Sequence, residues 1–161
     1  MGSRSKKEVD YAYIAGFLDG DGSLMLQIKK RSDGKSKIRF MATICLYQDT
    51  RHAKSLSWIR EIFGIGYISK RNDGMSELRI NGYESVKKIL QLLLPYIKFK
   101  KIQTKSLLKA CEILSSKKYK LLIKADLLQL VDLVLAIQKE NYVTKRKKTK
   151  KELIKILGLT L

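Results

Sequence analysis

Apolar and polar residues alternate along two stretches in the first third of the chain, residues 24–31 and 38–47. Successive side chains of a β-strand point to opposite faces, so each stretch predicts a strand with one buried and one wet face. The polar residues 32–37 lie between them and predict a turn, which makes the pair a long antiparallel hairpin. Its buried face would carry Leu24, Leu26, Ile28, Phe40, Ala42, Ile44 and Leu46.

Helical spacing and a second hairpin follow. Apolar residues recur on one side of residues 51–63, and a shorter hairpin is predicted for 66–71 and 76–81, with Asn72-Asp73-Gly74 at its turn. Further helices are predicted for residues 83–94, 103–115, 125–140 and 152–158. The order helix, hairpin, helix, hairpin, helices predicts an α+β fold, with helices on one face of an antiparallel sheet. We expect one domain over residues 1–161, with residues 1–7 disordered.

Positive charge dominates the composition. Lys and Arg total 34 against 15 Asp and Glu, which gives a net charge of +19. Such an excess indicates a polyanionic partner, most simply nucleic acid, although a ribosomal protein or one that binds anionic membranes would show the same balance. No apolar run reaches 18 residues and the start of the chain lacks a hydrophobic signal, so we expect no membrane span and an intracellular location. Cys45 and Cys111 are too few for a disulfide framework or a zinc site, which fits a reducing compartment.

Residues 13–22 carry the most informative local pattern, with small residues and two carboxylates at the end of a predicted helix. Ala12, Gly16 and Gly20 are four apart and share one helical face, where a second helix could approach closely. Asp19 and Asp21 fall where the helix ends, and negative charge there opposes the helix dipole. A bound cation would compensate this charge.

This segment resembles the LAGLIDADG motif of homing endonucleases, in the form Ile-Ala-Gly-Phe-Leu-Asp-Gly-Asp-Gly at residues 14–22. The resemblance implies the fold of that family, an αββαββα core with a four-stranded DNA-binding sheet. The motif occurs once, which in this family implies a homodimer joined through Ala12, Gly16 and Gly20. It also implies a Mg²⁺ site formed by the Asp21 carboxylate and the Gly20 carbonyl. Asp19 would cap or orient its neighbours, or be an exposed carboxylate at the helix end.

The same resemblance, to the small single-motif enzymes, extends over residues 9–155 and implies further catalytic residues. Gln48 matches a glutamine that orders solvent near the metal, and Lys100 matches a catalytic lysine, with Lys98 as the alternative. Both also have ordinary interpretations, as a polar strand end and as a solvated lysine. Where the family has another basic residue, this chain has His52, preceded by Arg51.

Two surfaces are candidates for contact with DNA. The wet faces of both hairpins mix basic, polar and apolar side chains, as base reading in the major groove requires. The segment 144–151 holds six basic residues and no acid, and similar segments of the family contact phosphates. The predicted contacts are Met25, Gln27, Lys29, Arg31, Arg39, Met41, Thr43, Tyr47, Ser69, Arg71, Glu77, Arg79, Lys145, Arg146, Lys147 and Lys148.

The leading hypothesis is therefore a homodimeric, Mg²⁺-dependent, site-specific endonuclease of double-stranded DNA. The family resemblance implies homing as its use and favours an intron-encoded enzyme. Two alternatives share the fold: a maturase that binds its intron RNA, and a DNA-binding regulator that does not cleave. The acidic motif argues against the regulator, because carboxylates near DNA phosphates are repulsive without a metal.

Overall fold

The computed structural model describes residues 5–30 and 38–160. Within these ranges it contains six α-helices and four β-strands, with short 3₁₀ turns at Thr50–His52, Leu94–Tyr96 and Tyr119–Leu121. The helices are α1 Lys6–Asp21, α2 Lys54–Phe63, α3 Tyr83–Leu93, α4 Lys101–Ser116, α5 Lys124–Glu140 and α6 Lys150–Ile156, and the strands are β1 Gly22–Lys30, β2 Ile38–Asp49, β3 Tyr67–Lys70 and β4 Met75–Asn81.

The four strands form one antiparallel sheet in the order β1-β2-β4-β3. Its buried face is the predicted one, since Leu24 pairs with Ile44 and Leu26 with Ala42, and all four side chains are buried. These residues join apolar side chains of the helices in a continuous core. The predicted α+β fold, with helices packed on one face of the sheet, is therefore confirmed.

The second hairpin also follows its prediction. β3 and β4 are joined at Gly74, whose φ of +79° is a conformation that favours glycine. Asp73 Oδ1 accepts a hydrogen bond from the backbone N–H of Met75 at 3.2 Å, which closes the turn. The turn predicted for residues 32–37 lies outside the described residues.

The start of the chain differs from its prediction. α1 begins at Lys6, and Ser5 and Glu8 form a reciprocal capping box in which each side chain accepts the other's backbone N–H. Residues 5–7 are thus part of an ordered helix start, which corrects the prediction that residues 1–7 are disordered. Residues 1–4 lie outside the described residues. In the described part of the chain, no helix is long and apolar enough to cross a membrane.

Candidate active site and DNA-binding surface

Asp19 lies at the centre of the site and links two parts of the chain. Its carboxylate accepts backbone hydrogen bonds from Lys98 at 2.7 Å, Phe99 at 3.2 Å and Lys100 at 3.0 Å, across 79 to 81 residues of sequence. Only 7% of the residue is exposed. Lys100 itself offers no side-chain cap to α4, so Asp19 caps that helix from α1. Of the two roles considered for Asp19, the capping role is confirmed and the exposed one is wrong.

The capping role explains why Asp19, one of the two carboxylates at the end of α1, is tolerated there. A negative charge is unfavourable at the C-terminus of α1, but Asp19 also faces the N-terminus of α4, where it is favourable. A further hydrogen bond connects the same two segments, because Lys100 Nζ donates to the backbone carbonyl oxygen of Asp19. The lysine side chain is thereby held at the end of α1.

Asp21, the second carboxylate, is exposed, as is Gly20 before it. Asp21 is close enough to Lys100 to affect the titration of the lysine. Burial lowers the pKa of the Lys100 ammonium below its usual value, while the charges of Asp19 and Asp21 act in the opposite direction. Lys100 and the accessible carboxylate Asp21 are therefore neighbours.

The donor set at Asp21 suits a hard divalent cation. Carboxylate and carbonyl oxygens are the ligands of Mg²⁺, which usually keeps several waters and takes only one or two protein carboxylates together with substrate phosphates. Within the described residues no group of three or more His, Cys, Asp and Glu side chains could hold a metal ion. Among the described residues, Asp21 is therefore not part of a cluster of three or more such side chains.

The end of β2 approaches the same place. Gly22 pairs with Leu46 in antiparallel strands, so Gly20, two residues before Gly22, and Gln48, two residues after Leu46, lie at the same end of the sheet. The Gln48 Oε1 atom accepts the backbone N–H of Asp49 at 2.8 Å, which leaves its amide nitrogen to donate. The structure therefore brings all three predicted catalytic residues, Asp21, Gln48 and Lys100, to one end of the sheet.

Arg51 and His52 differ in their availability. Asp49 binds the Arg51 guanidinium through both carboxylate oxygens, at 3.0 and 2.9 Å, and Arg51 lowers the pKa of Asp49 to about 2. His52 is exposed and has no such partner among the described residues. His52 is the freer of the two to contact a phosphate.

The face of the sheet opposite the core forms a polar network across three strands. Glu77 accepts hydrogen bonds from Arg79 at 3.1 Å and from Ser69 at 3.5 Å, while the Arg71 guanidinium lies 5.7 Å from the ring centre of Tyr47. Burial raises the pKa of Tyr47 to about 12, so its phenol stays neutral at ordinary pH. The network holds donors and acceptors in fixed positions, as base reading needs.

Several predicted contact residues share this face, and one does not reach its surface. Thr43 is fully buried, and its hydroxyl donates to Asn81 Oδ1 at 2.7 Å. Its neighbours across the strands, Met25 and Asn81, cover it on either side. The prediction that Thr43 contacts DNA is corrected accordingly: Thr43 positions Asn81, which is exposed. Arg31 lies outside the described residues, whereas Met25, Gln27, Lys29, Arg39 and Met41 are exposed or half-buried.

The basic segment lies against the edge of the sheet. Arg146 and Lys148 border the same cavity, of about 220 Å³, as Gln27 and Lys29 of β1. Gln138 of α5 fixes the segment there, because its Oε1 accepts the backbone N–H of Lys148 at 3.0 Å. Nothing in the sequence pattern distinguishes Gln138, and this contact was not predicted. The edge of the sheet and the basic segment therefore form one continuous basic surface.

An apolar stripe runs along the outside of α1. Val9 is 54% and Tyr13 68% exposed, and Gly16 and Gly20 continue the same face at helical spacing. A Cβ added at either glycine would meet nothing within 4 Å. This face, with the half-buried Ala12 beside it, stays largely exposed in a single chain, and within the chain the Tyr13 and Trp58 rings meet edge to face with their centroids 5.7 Å apart.

Comparison of the sequence with known proteins identifies the family that the motif at residues 14–22 resembles. The profile of the LAGLIDADG endonuclease family matches residues 14–114. The chain is 38% identical over 101 residues to the DNA endonuclease I-CvuI of Chlorella vulgaris, an alignment that spans 63% of each protein. It is 32% identical over 118 residues to the DNA endonuclease I-CreI of Chlamydomonas reinhardtii, across 73% of this chain and 71% of I-CreI.

Solved structures are similar to this chain over nearly its whole length, beyond the regions aligned by sequence. I-CvuI in complex with the I-CreI target, with 2 mM Mg and the DNA not cleaved, superposes with a TM-score of 0.82 at 30% identity, over 96% of this chain and 98% of that one. I-CvuI in complex with its own target and 2 mM Ca gives the same values. The archaeal intron-encoded homing endonuclease I-Vdi141I, complexed with DNA, shares the fold with a TM-score of 0.80 at 22% identity, over 95% of this chain and 97% of that one.

Proposed function

This chain belongs to the LAGLIDADG endonuclease family, and from that premise we propose that it is a site-specific endonuclease of double-stranded DNA. The observation that carries the proposal is the arrangement around Asp19. A buried cap holds Lys100 beside the exposed Asp21, at the end of a basic, polar sheet. Hydrolysis of a phosphodiester needs positive charge near the phosphate and an anchored cation, and this arrangement offers both.

Each residue of the site has a proposed role. Asp21, with the Gly20 carbonyl, would hold the divalent cation, which supplies Lewis-acid stabilisation of the phosphate charge. The Lys100 ammonium stabilises negative charge on the phosphate, and Gln48 positions the attacking water through its amide nitrogen. I-CvuI complexes prepared with Mg and with Ca support a divalent cation, and Mg²⁺ is the proposed one because its preferred ligands match this donor set.

The active form is proposed to be a homodimer joined through the exposed stripe of α1. One chain supplies one accessible carboxylate at the site, whereas two copies related by a two-fold axis supply two Asp21 side chains to one target. Close packing of two α1 helices needs small residues, and Ala12, Gly16 and Gly20 provide them. Each subunit would read one half of a nearly palindromic target of roughly 20 bp.

Gly20→Ser should weaken this dimer without unfolding the chain. A Cβ added at Gly20 meets no heavy atom within 4 Å, so the substitution is sterically tolerated within one chain and its main effect is expected at the interface. We expect sedimentation velocity without DNA to show a monomer for Gly20→Ser and a dimer for the unmodified protein. Ala125→Ser, on the exposed start of α5, is the control and should remain dimeric. An unchanged sedimentation coefficient for Gly20→Ser would rule out this interface.

The basic segment should contribute affinity rather than sequence preference. Each phosphate contact changes the slope of log K against log salt by about 0.9. Replacing Arg146 and Lys148 with glutamine should therefore reduce that slope by about two per subunit and leave the preferred target unchanged. Lys120→Gln, an exposed lysine far from the sheet in sequence, is the control and should leave both the salt slope and the preferred target unchanged. A shift in target preference would instead show that the segment reads bases.

The metal and the specificity can be tested together. An unrelated plasmid should stay intact with Mg²⁺, while a plasmid that carries the selected target is linearised with Mg²⁺ and remains uncut in EDTA. Digestion of the unrelated plasmid would contradict site specificity, and cutting in EDTA would contradict the metal. Binding of intron RNA has no comparable support, since both relatives are named DNA endonucleases, and it stays a prediction from the sequence.

A further inference from the structure

Gln103 is a largely buried residue whose side-chain amide makes no hydrogen bond to protein among the described residues and lines a cavity. It lies in the first turn of α4, three residues after Lys100, and only 6% of it is exposed. Buried polar side chains are nearly always hydrogen-bonded, either to protein or to ordered water. Asp19 and Thr43, which are also largely buried, have protein partners. The Gln103 amide is not among the fully enclosed polar atoms without a partner, so water in the cavity that it borders can serve as its partner.

The amide borders a cavity at the active-site end of the sheet. The cavity measures about 230 Å³ and runs from β1 and β2 to the end of α5. A water molecule occupies about 30 Å³ of liquid, and a cavity holds water when several polar groups surround it. Its size thus allows several waters. The polar side chains of its lining are those of Ser23, Tyr47, Lys100, Gln103, Glu140, Asn141, Tyr142 and Thr144.

The geometry points to Gln103 as a positioning residue. We propose that its carboxamide binds ordered water in this cavity and, through that water, holds the Lys100 side chain in place beside Asp21. One bond of the Lys100 ammonium is already fixed, to the Asp19 carbonyl, and the cavity lies on a side of the lysine that has no protein partner among the described residues. This inference rests on the proposed endonuclease function and adds a residue to it.

Gln103→Met tests the inference, because methionine has nearly the same length and no hydrogen-bonding amide. We expect the single-turnover cleavage rate of a selected target to fall by about 10- to 100-fold, as for other groups that orient catalytic residues indirectly. DNA affinity should change by less than about threefold, since Lys100 is one of many basic side chains that contribute to phosphate binding. Gln103→Asn retains an amide that a further water can reach, and should recover most of the rate.

The next residue supplies a matched control. Thr104 is fully buried on the same turn, and its hydroxyl also has no partner among the described residues, but it does not border the cavity. Thr104→Val should leave the cleavage rate unchanged. Equal losses in Thr104→Val and Gln103→Met would indicate a general packing effect and would overturn the assignment.

The outcomes separate this inference from the function on which it rests. If the unmodified protein cuts no selected target, the proposed function fails. If it cuts and Gln103→Met cuts equally fast, the inference alone fails. Should the variants not fold, a crystal structure of the unmodified protein decides. Ordered water shared by the Gln103 amide and Lys100 would support the assignment, and a dry cavity would refute it.

Discussion

Asp21→Asn is expected to lower the cleavage rate of the selected target by about a thousandfold or more. The substitution retains size but removes the charge that would anchor the cation. A metal supplies several kcal/mol of transition-state stabilisation, and a loss of about 4 kcal/mol corresponds to three factors of ten in rate. The single-turnover rate in saturating Mg²⁺ measures this directly.

DNA binding separates the proposed role of Asp21 from a loss of structure. Asp21 is exposed at the end of α1, so Asp21→Asn should melt at the same temperature as the unmodified protein. In EDTA the variant should bind DNA at least as tightly, because it removes a carboxylate that repels the phosphates. Cleavage that persists near the original rate would assign the metal to another residue.

Asp19→Ala should reduce both stability and activity. It removes an acceptor of three backbone hydrogen bonds and leaves those donors at the start of α4 without their partner. Hydrogen bonds to charged groups and helix caps are each worth about 1–3 kcal/mol, so we expect a combined loss of about 3–4 kcal/mol. In a chain of this size that loss corresponds to a melting temperature about 10 °C lower.

The two aspartates therefore form a matched pair of variants. Below its melting temperature, Asp19→Ala should also cut slowly, because the segment that carries Lys100 is no longer fixed to α1. Thermal unfolding and cleavage at a permissive temperature measure the two effects. If Asp19→Ala melts like Asp21→Asn, the carboxylate does not stabilise the start of α4, and the account of the site needs another anchor for Lys100.

Patterns within one element predicted the fold well. The alternation in residues 24–31 and 38–47 fixed which side chains of both strands face the core, because the two faces of a strand follow directly from the order of residues. The glycine at position 74 located the second hairpin for a similar local reason. Asp21 and Lys100 were identified through a family resemblance, and the structure places them together.

Features that depend on distant residues were not predictable in this way. A capping role for Asp19 was predicted, but its target at the start of α4 was not, because the two lie about 80 positions apart and only the packing of α1 against the following segments brings them together. Burial of Thr43 depends on its neighbours in two other strands. The Gln138 contact with Lys148 and the position of Gln103 at the cavity likewise depend on how separate elements pack, which no local pattern contains.

Cleavage selection on a randomised DNA duplex library, with Mg²⁺ and with Asp21→Asn in parallel, tests the central claim most directly. We predict a nearly palindromic consensus of roughly 20 bp among molecules cut by the unmodified protein, and no enrichment of cut molecules with the variant. An asymmetric consensus would contradict the homodimer. The same consensus cut by Asp21→Asn, or enrichment by binding without any cleavage, would contradict the proposed endonuclease site.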